Sequence, residues 1–554
     1  MADATLGPGG AGTGRPTLFL RNATGLVKAW STFDAFLYSF WSVNLVTLGL
    51  YGMSFVYTVP DGQLLIAILG FGVLTTFLVL TYAGLVNVMP RTGGDYAWQS
   101  RILGGGVGFV LAITGWWFTL FLWAPIYANI LIVQFFEPLA YTLGWTNVAN
   151  YFTSANGVFV ACLIVLAFVS VVVTLGMETY ARIQKVCFWI GIVGLAVVCG
   201  LLAFSSQSDF QAAFNREATN LFSAPAGAYQ ATIDAASKGG FVSHDFNTFS
   251  LGPVLLVMPW LAFYMLWPNW GATLYGEVRG SKEYSKPFFS MFWGLWVTVA
   301  MVAVVVLLTV KTMGWTFYNS ANSLYWGSFF GGPAPVVPTW PYPVMFASWL
   351  VPNHIFQALV IAVMGVWFFG WAGTLFLSST RVIFAAAFDR VLPSWAANIS
   401  AKRRVPYGSL ALMIVPSIVV SAVWAYRPSF QSVFLDATAI LAVTFLGTVV
   451  AAIILPWRRK DLYDASPVAR YKIFGFPMIT VTGVITAIFL LFLLGEWSFN
   501  SANLYGTSLS ATKTSVEYFG ATYLVAIIIY VVARVVRKSQ GIDLARIHHE
   551  IPVE

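Results

Sequence analysis

The sequence predicts an all-α integral membrane protein with twelve transmembrane helices, and three observations support this fold class. First, 58% of the 554 residues are hydrophobic and only 9% are charged, whereas a soluble domain carries about a quarter charged residues. Second, the apolar residues form segments of about 20 residues, the length that a helix needs to cross a bilayer. Third, the basic residues concentrate in alternate loops between these segments. Such a chain cannot cover its surface with polar groups in water, and it belongs in a membrane.

Twelve apolar windows follow one another along the chain. In order they are 35–57, 64–88, 107–136, 158–175, 186–204, 252–275, 288–310, 355–380, 410–426, 433–455, 479–495 and 518–533. They are too uniformly apolar for barrel strands, which alternate polar and apolar residues over about ten positions. The windows therefore predict one helical bundle over residues 31–536, between a tail at 1–30 and a second tail at 537–554.

The basic residues predict the orientation, because Lys and Arg are retained on the cytoplasmic side during insertion. With the termini and alternate loops on one side, only five of the 29 basic residues fall on the other side. These five are Arg216, Lys238, Lys311, Arg427 and Lys513. We therefore expect a multi-pass protein of the cell membrane with both termini in the cytoplasm. The basic pI near 9.2 then reflects topology and contact with the lipid bilayer, and nucleic acid is not an expected partner.

The first and sixth windows carry residues that interrupt a helix near its middle. In the sixth, Pro268 precedes Asn269, and a proline lacks the amide hydrogen and clashes with the preceding turn. Interrupted helices offer free backbone groups that can hold a solute in mid-membrane. A bent helix without a ligand fits the same pattern, because Pro and Gly are common in membrane helices. Inverted repeats of five helices would pair the first helix with the sixth, and this pairing favours a substrate site.

The predicted substrate contacts are the polar and aromatic residues beside the two interruptions. They are Ser42, Asn44, Thr47, Tyr264, Trp267, Asn269 and Trp270. Tyr127 and Trp371 could also line a pocket or stack on a cation, although ordinary packing explains most such rings.

Other candidate sites are few. Asp436 in the tenth window is a candidate for ion coupling, because a carboxylate inside a membrane span is costly; its place near a helix start also fits a capping role. Glu277 is expected to pair with Arg279 or Lys282. The sequence has no cluster of metal-ligand spacing and no nucleotide or nucleophile motif. It therefore predicts no metal, no cofactor, no catalytic residue and no enzyme activity.

Four short elements resemble motifs of the amino acid–polyamine–organocation (APC) transporter superfamily, in particular its prokaryotic amino acid permeases. Residues 89–98, MPRTGGDYAW, are similar to the Pro-x-x-Gly-Gly-x-Tyr motif after helix two. Residues 381–393 resemble the Arg-x-(aromatic)-Ala-x-x-x-Asp-x-x-Leu-Pro segment after helix eight, and residues 277–279 resemble Glu-Val-Lys after helix six. Residues 541–552 resemble the tails of prokaryotic members. The four elements stand in order over nearly the whole chain.

The resemblance implies a core of two inverted five-helix repeats, at about 31–204 and 252–455, with two extra helices at about 474–536. It also implies an amino acid or related amine as the substrate, held between interrupted helices one and six and moved by alternating access. Many members carry a Gly-Ser-Gly type run in helix one. This chain has residues 42–49 there, with Asn44 in place of such a run.

The resemblance also bears on coupling. Proton-coupled relatives can carry a lysine in the middle of helix five, where this chain has Ile-Gly-Ile at 190–192. Sodium-coupled relatives use hydroxyl pairs on helix eight, where this chain has Gly370 and Trp371, with Thr374 one turn later. We therefore expect proton-linked transport or facilitated exchange, and Asp436 and Thr374 are the candidate coupling residues.

Two alternatives stay open. The substrate could be another small solute, such as a nucleobase or an organic acid. The chain could also be a transport-inactive membrane sensor with the same bundle, although its two tails are short for a signalling domain.

Overall fold

The computed structural model describes residue 26 and residues 28–551, and twelve of its helices are long and apolar enough to cross a membrane. We number them spans 1 to 12. In order they are Thr32–Met53, Leu64–Val88, Gly105–Thr142, Ala155–Thr174, Met177–Phe204, Leu251–Glu277, Ser285–Met313, His354–Phe388, Tyr407–Tyr426, Ser429–Arg458, Met478–Phe499 and Lys513–Ser539. Each predicted window overlaps one span, and the predicted fold class is confirmed.

Shorter elements connect the spans. The connecting helices are Gly94–Ile102 after span 2, Thr146–Thr153 after span 3, Gln207–Phe222 and Ala228–Lys238 after span 5, Trp315–Ser328 and Pro343–Ser348 after span 7, and Lys460–Asp464 after span 10. Shorter 3₁₀ turns occupy Val56–Thr58, Ser394–Ala397 and Pro467–Arg470. Two antiparallel strands, Lys472–Ile473 and Phe476–Pro477, form a small hairpin before span 11. A last helix, Leu544–His549, lies in the predicted second tail, whereas most of the predicted tail at 1–30 lies outside the described residues.

The bundle has a buried centre and an apolar periphery. In span 1, 89% of the most apolar window is buried inside the protein, compared with 6% in span 12. Spans 3, 6 and 10 are also mostly buried. Polar side chains in the middle of these helices, such as Asn44, Thr119, Asn269 and Thr444, are completely buried, while the outer faces of spans 5 and 12 expose valine and isoleucine. This arrangement suits a bundle whose outer surface meets lipid.

Spans 1, 3, 6 and 8 are interrupted along their length, and span 10 begins in a 3₁₀ segment, Pro428–Val433, before its α-helix Asp436–Arg458. Span 1 consists of Thr32–Val43, a π-turn Leu45–Gly49 and Leu50–Met53, and span 6 consists of Leu251–Met265 and a 3₁₀ segment Trp270–Glu277. Span 3 contains π-turns at Thr114–Phe118 and Ile132–Phe136, and span 8 is divided into His354–Met364, Val366–Trp371 and Thr374–Phe388. The sequence predicted the interruptions in spans 1 and 6. Those in spans 3 and 8 were not predicted, since no proline lies within these π-turns or at the divisions of span 8.

Two buried ion pairs join distant helices at one end of the bundle. We call this the basic end, because it carries the loops after spans 2, 4, 6, 8 and 10. Arg381 Nε donates to Glu277 Oε1 at 2.8 Å, and Arg101 Nη2 donates to Asp389 Oδ1 at 2.9 Å. The expected pairing of Glu277 with Arg279 or Lys282 is therefore wrong: span 6 ends against span 8, which places the Arg381 guanidinium beside the carboxylate.

Candidate functional site

The interruption in span 1 centres on a single residue. Asn44 has a φ of 39°, in the left-handed region that few non-glycine residues adopt. Its backbone N–H donates to Phe40 O at 3.0 Å, and its side-chain Oδ1 accepts from the N–H of Thr47 at 2.9 Å. Asn44 therefore ends the first half of the span and caps the second half. Its side-chain Nδ2 donates to Trp367 O in span 8 at 3.4 Å.

The other two predicted contacts in span 1 lie on either side of Asn44. The Ser42 hydroxyl donates to Tyr38 O at 2.8 Å, one turn earlier in the same helix. The Thr47 hydroxyl is buried and has no hydrogen-bond partner, while the Thr47 carbonyl accepts from Gln134 Nε2 of span 3 at 2.9 Å. Thr47 is thus the residue of this pair that keeps free hydrogen-bonding capacity.

The interruption in span 6 falls at Pro268 and Asn269, as the sequence predicts. Hydroxyl groups of two neighbouring spans bind the carbonyl oxygens that the interruption frees. Ser39 of span 1 donates to Pro268 O at 2.9 Å, and Ser378 of span 8 donates to Trp270 O at 2.9 Å. The interruption is therefore held open by side chains from outside its own helix.

The two interruptions pack against each other. An added side-chain carbon at Gly49 in span 1 would lie 3.4 Å from the Tyr264 ring in span 6, which is ordinary contact distance. Small residues permit such close approach of membrane helices. The structure therefore brings the predicted contacts of spans 1 and 6 together at one level of the bundle.

Aromatic rings from spans 3, 6 and 8 surround this level. Trp123 of span 3 lies 6.1 Å from Trp267 and 6.2 Å from Trp270, measured between ring centroids. Tyr127 lies 3.7 Å from Trp371 and 5.8 Å from Trp123. Trp123 was missed in the sequence, although its spacing of four residues from Tyr127 places both on one helix face.

The polar atoms of this region are unusually poor in partners. Buried polar groups in proteins are nearly always hydrogen-bonded. Besides the Thr47 hydroxyl, seven buried side-chain atoms here have no hydrogen-bond partner: Trp123 Nε1, Tyr127 Oη, Tyr264 Oη, Asn269 Oδ1, Asn269 Nδ2, Trp270 Nε1 and Trp371 Nε1. By contrast, the Trp267 indole donates to Phe263 O at 2.6 Å within its own helix. The unbonded donors and acceptors are what a polar ligand would satisfy.

All seven predicted contact residues are completely buried. Toward the end opposite the basic end, Phe55 stacks between Trp260 and Trp326, with centroid distances of 4.6 and 4.4 Å. Toward the basic end, the Arg381–Glu277 pair closes the bundle, and Trp30 lies against it, because the Trp30 N–H donates to Glu277 O at 3.2 Å. The site is closed on both sides in this conformation.

Of the two candidate coupling residues, Asp436 lies apart from these contacts, and the hydroxyl of Thr374 is hydrogen-bonded within its own span. Asp436 begins the helix Asp436–Arg458 but makes no capping hydrogen bond, so the capping alternative is wrong. Both of its carboxylate oxygens lack partners, and the side chain lies beside Ser515 of span 12. The Thr374 hydroxyl donates to Trp371 O at 2.8 Å in its own span. Within residues 28–551, no three His, Cys, Asp or Glu side chains are grouped as a metal site would need.

The described part of the chain has twelve apolar helices, and spans 1 and 6 are interrupted at one level where polar groups are unbonded. This arrangement is that of a transporter that holds a solute inside the membrane. A sequence model of the family described as "Amino acid permease" matches residues 30–533. The chain therefore belongs to this family, and the resemblance drawn from the four motifs is confirmed. It is an amino acid permease by family and not an enzyme.

A curated relative agrees with this assignment. The branched-chain amino acid permease BcaP of Lactococcus lactis subsp. cremoris (strain MG1363) is 22% identical over 456 residues, which cover 78% of this chain and 84% of the relative. The similarity thus extends over most of both proteins.

Proposed function

We propose that this permease moves an amino acid with an apolar side chain, or a related amine, across the cytoplasmic membrane by alternating access. The observation that carries the proposal is the Asn269 side chain, which is completely buried at the interruption of span 6 with both amide atoms unbonded. An amide can donate to a carboxylate through Nδ2 and accept from an ammonium group through Oδ1. Asn269 can therefore contact both charged groups of an amino acid or the single charged group of an amine.

The aromatic rings around Asn269 account for the preference for an apolar side chain. Four rings offer apolar faces for the substrate's side chain and single polar atoms for the charged groups of the amino acid or amine. They belong to Trp123, Tyr127, Trp270 and Trp371. A ring face can also attract an ammonium group. The similarity to a permease named for branched-chain amino acids favours the same class of substrate.

Alternating access requires that the two closures of the site open in turn. We propose that the Arg381–Glu277 pair with Trp30 opens on one side, and the Phe55 stack on the other. By the distribution of basic residues, the basic end and both termini lie in the cytoplasm. A solute then drives the cycle only through its different affinity for the two states.

We propose proton-linked transport or exchange for the coupling mode, with Asp436 and Thr374 as the candidate residues in the spans. Asp436 is buried without a partner, and ionisable groups inside membrane proteins commonly mark ion paths. The hydroxyl of Thr374 donates to Trp371 O within its own span. Uptake that strictly required a sodium gradient would contradict this mode.

Ligand binding and transport can be tested separately with the purified protein. Thermal stabilisation would be screened across amino acids, amines, nucleobases and organic acids, and hits would be tested for saturable uptake into proteoliposomes. We expect apolar amino acids or amines to bind, and Asn269→Ala to weaken that binding about tenfold while the protein still inserts. Asn147→Ala, at an exposed asparagine, is the matched control.

The same screen discriminates the alternatives. Stacked aromatic rings also suit a planar cargo, so stabilisation by nucleobases alone would identify that class. Binding without uptake would indicate a sensor. Unchanged binding in Asn269→Ala would show that the site lies elsewhere.

A further inference from the structure

A buried carboxylate lies next to the interruption in span 6 and has no part in the proposed substrate contacts. Asp95 stands in the first turn of the helix Gly94–Ile102 and is completely buried. Three side chains from spans 2, 10 and 3 donate to it: Tyr82 Oη and Thr448 Oγ1 to Oδ1, both at 2.6 Å, and Trp116 Nε1 to Oδ2 at 3.1 Å. The carboxylate is thus held by donors from three transmembrane spans.

In the part of the chain that the structure describes, no cation lies beside this carboxylate. Among the described residues, no Lys, Arg or His nitrogen lies within 4.0 Å of the Asp95 carboxylate. The charged groups on the elements packed against its helix belong to other contacts: Arg101 pairs with Asp389, Arg381 pairs with Glu277, and His548 lies beside Asp389 and Tyr96. Burial raises the pKa of Asp95 to about 6, against the opposing effect of the three donors. The group therefore changes protonation near physiological pH.

The helix that carries Asp95 is packed directly on the second half of span 6. Gly93 N–H donates to Thr273 O at 2.9 Å, and a side-chain carbon at Gly94 would lie only 2.8 Å from the Thr273 Cα. This backbone contact therefore requires glycine at 94, whereas Gly93 is required by its φ of 93° and by Ala385 Cβ, which an added carbon would approach to 2.5 Å. The Trp270–Glu277 segment and the helix of Asp95 are therefore joined directly through their backbones.

Tyr82 connects Asp95 to the candidate substrate site. Its hydroxyl donates to Asp95 and also lies beside the side chain of Asn269. Asn269 has no hydrogen-bond partner for either amide atom. One phenol therefore stands between a titratable carboxylate and the amide that we propose as the substrate contact.

We infer that Asp95 is a proton-binding site whose occupancy sets the direction of hydrogen bonding at Asn269 through Tyr82. When Asp95 is ionised, Tyr82 donates its hydrogen to the carboxylate and presents only an acceptor oxygen to Asn269. When Oδ1 takes up a proton from water, it becomes a donor itself. Thr448 already accepts from Gln99 Nε2 at 2.7 Å, so Tyr82 is the less occupied acceptor for that hydrogen. Tyr82 can then turn its own hydrogen toward Asn269.

The consequence is a coupling between proton binding and solute binding. The proton is added to the carboxylate and later released from it, and no other bond forms or breaks. Each state of Asp95 offers a different donor and acceptor pattern at the substrate contact, so one state binds the solute better and the solute shifts the proton equilibrium in return. The coupling rests on the proposed transport function, whereas proton binding by Asp95 does not.

Proton binding can be tested without any solute. Infrared difference spectra of the purified protein, titrated from about pH 4 to about pH 8, report the C=O band of a carboxylic acid. We expect a component with a midpoint of about 6 in the native protein, absent from Asp95→Asn and retained in Asp464→Asn, which removes an exposed acid. Tyr82→Phe keeps the component and moves its midpoint upward, because one donor to the carboxylate is lost. An unchanged titration in Asp95→Asn would overturn the inference.

The connection to the substrate site is tested by the pH dependence of solute affinity, measured on the same proteins. We expect the affinity of the native protein to change by about fivefold or more across the titration of Asp95, and this change to be absent from both Asp95→Asn and Tyr82→Phe. A native pH dependence retained in Tyr82→Phe would refute the connection. If the native protein bound no solute at any pH while the infrared component titrated, the proposed transport function would fail and the proton site would stand.

Discussion

The interruptions in spans 1 and 6 differ in how their polar groups are satisfied. At Asn44 the backbone N–H, the backbone oxygen and both side-chain amide atoms are all hydrogen-bonded, mostly within span 1. At Asn269 both side-chain amide atoms are unbonded, although they are equally buried. The same residue type therefore stabilises the chain at the first interruption and leaves bonding capacity at the second. The asparagine with an unbonded side-chain amide is therefore the one at the second interruption.

The largest expected effect concerns the buried Arg381–Glu277 ion pair, which anchors the segment after the second interruption. Glu277→Gln leaves the buried Arg381 guanidinium without its charged partner, and breaking a buried ion pair costs about 3–5 kcal/mol. The free energy of unfolding in mixed micelles is the measurement. Glu283→Gln removes an exposed partner of Lys286 and is expected to cost less than about 1 kcal/mol. Equal losses in the two variants would show that the Arg381–Glu277 pair does not anchor span 6.

The second prediction concerns the satisfied interruption. Asn44→Ala removes the side-chain cap on Thr47 N–H, worth about 1 kcal/mol, and places alanine at a φ of 39°, which costs about 1 kcal/mol more. We expect a loss of about 2 kcal/mol in unfolding free energy. Asn44→Gly removes the cap without the backbone strain and should lose about half as much. A neutral Asn44→Ala would mean that the cap does not stabilise span 1.

The third prediction has the opposite sign. Asn269→Leu replaces two unbonded buried polar atoms by an apolar group of similar size, and each such atom costs about 1 kcal/mol or more. The variant should therefore unfold with a free energy about 2 kcal/mol higher than the native protein in the absence of solute, while losing solute binding. A destabilised variant would contradict the contrast between the two asparagines.

The smallest effect separates the two tryptophans of span 6. Trp267→Phe loses an indole hydrogen bond to Phe263 O, whereas Trp270→Phe loses an N–H that has no partner. Both changes remove the same volume, so the difference in their unfolding free energies isolates the hydrogen bond. We expect Trp267→Phe to be less stable by about 1 kcal/mol. Equal stabilities would indicate that the Trp270 indole is bonded in solution as well.

The sequence by itself determined the number of spans and the places where spans 1 and 6 are interrupted. These are local properties: apolar length sets a span, and the ring of Pro268 prevents the regular helix regardless of its neighbours. The division into two inverted repeats stays a prediction of the family resemblance. The sequence also predicted Tyr264, Asn269 and Trp270 as candidate substrate contacts, because polar and aromatic residues beside an interruption are visible without a structure.

Only the tertiary structure decided which partners those residues have. Arg381 and Glu277 are 104 residues apart, so their pairing depends on how spans 6 and 8 pack, and local spacing favoured nearer basic residues. Helix packing also brings Trp123 of span 3 to the candidate site. It likewise places Asp95 beside Tyr82 and Thr448. Hydrogen bonding is a short-range interaction, and the groups within range of a buried atom are set by helix packing rather than by position along the chain.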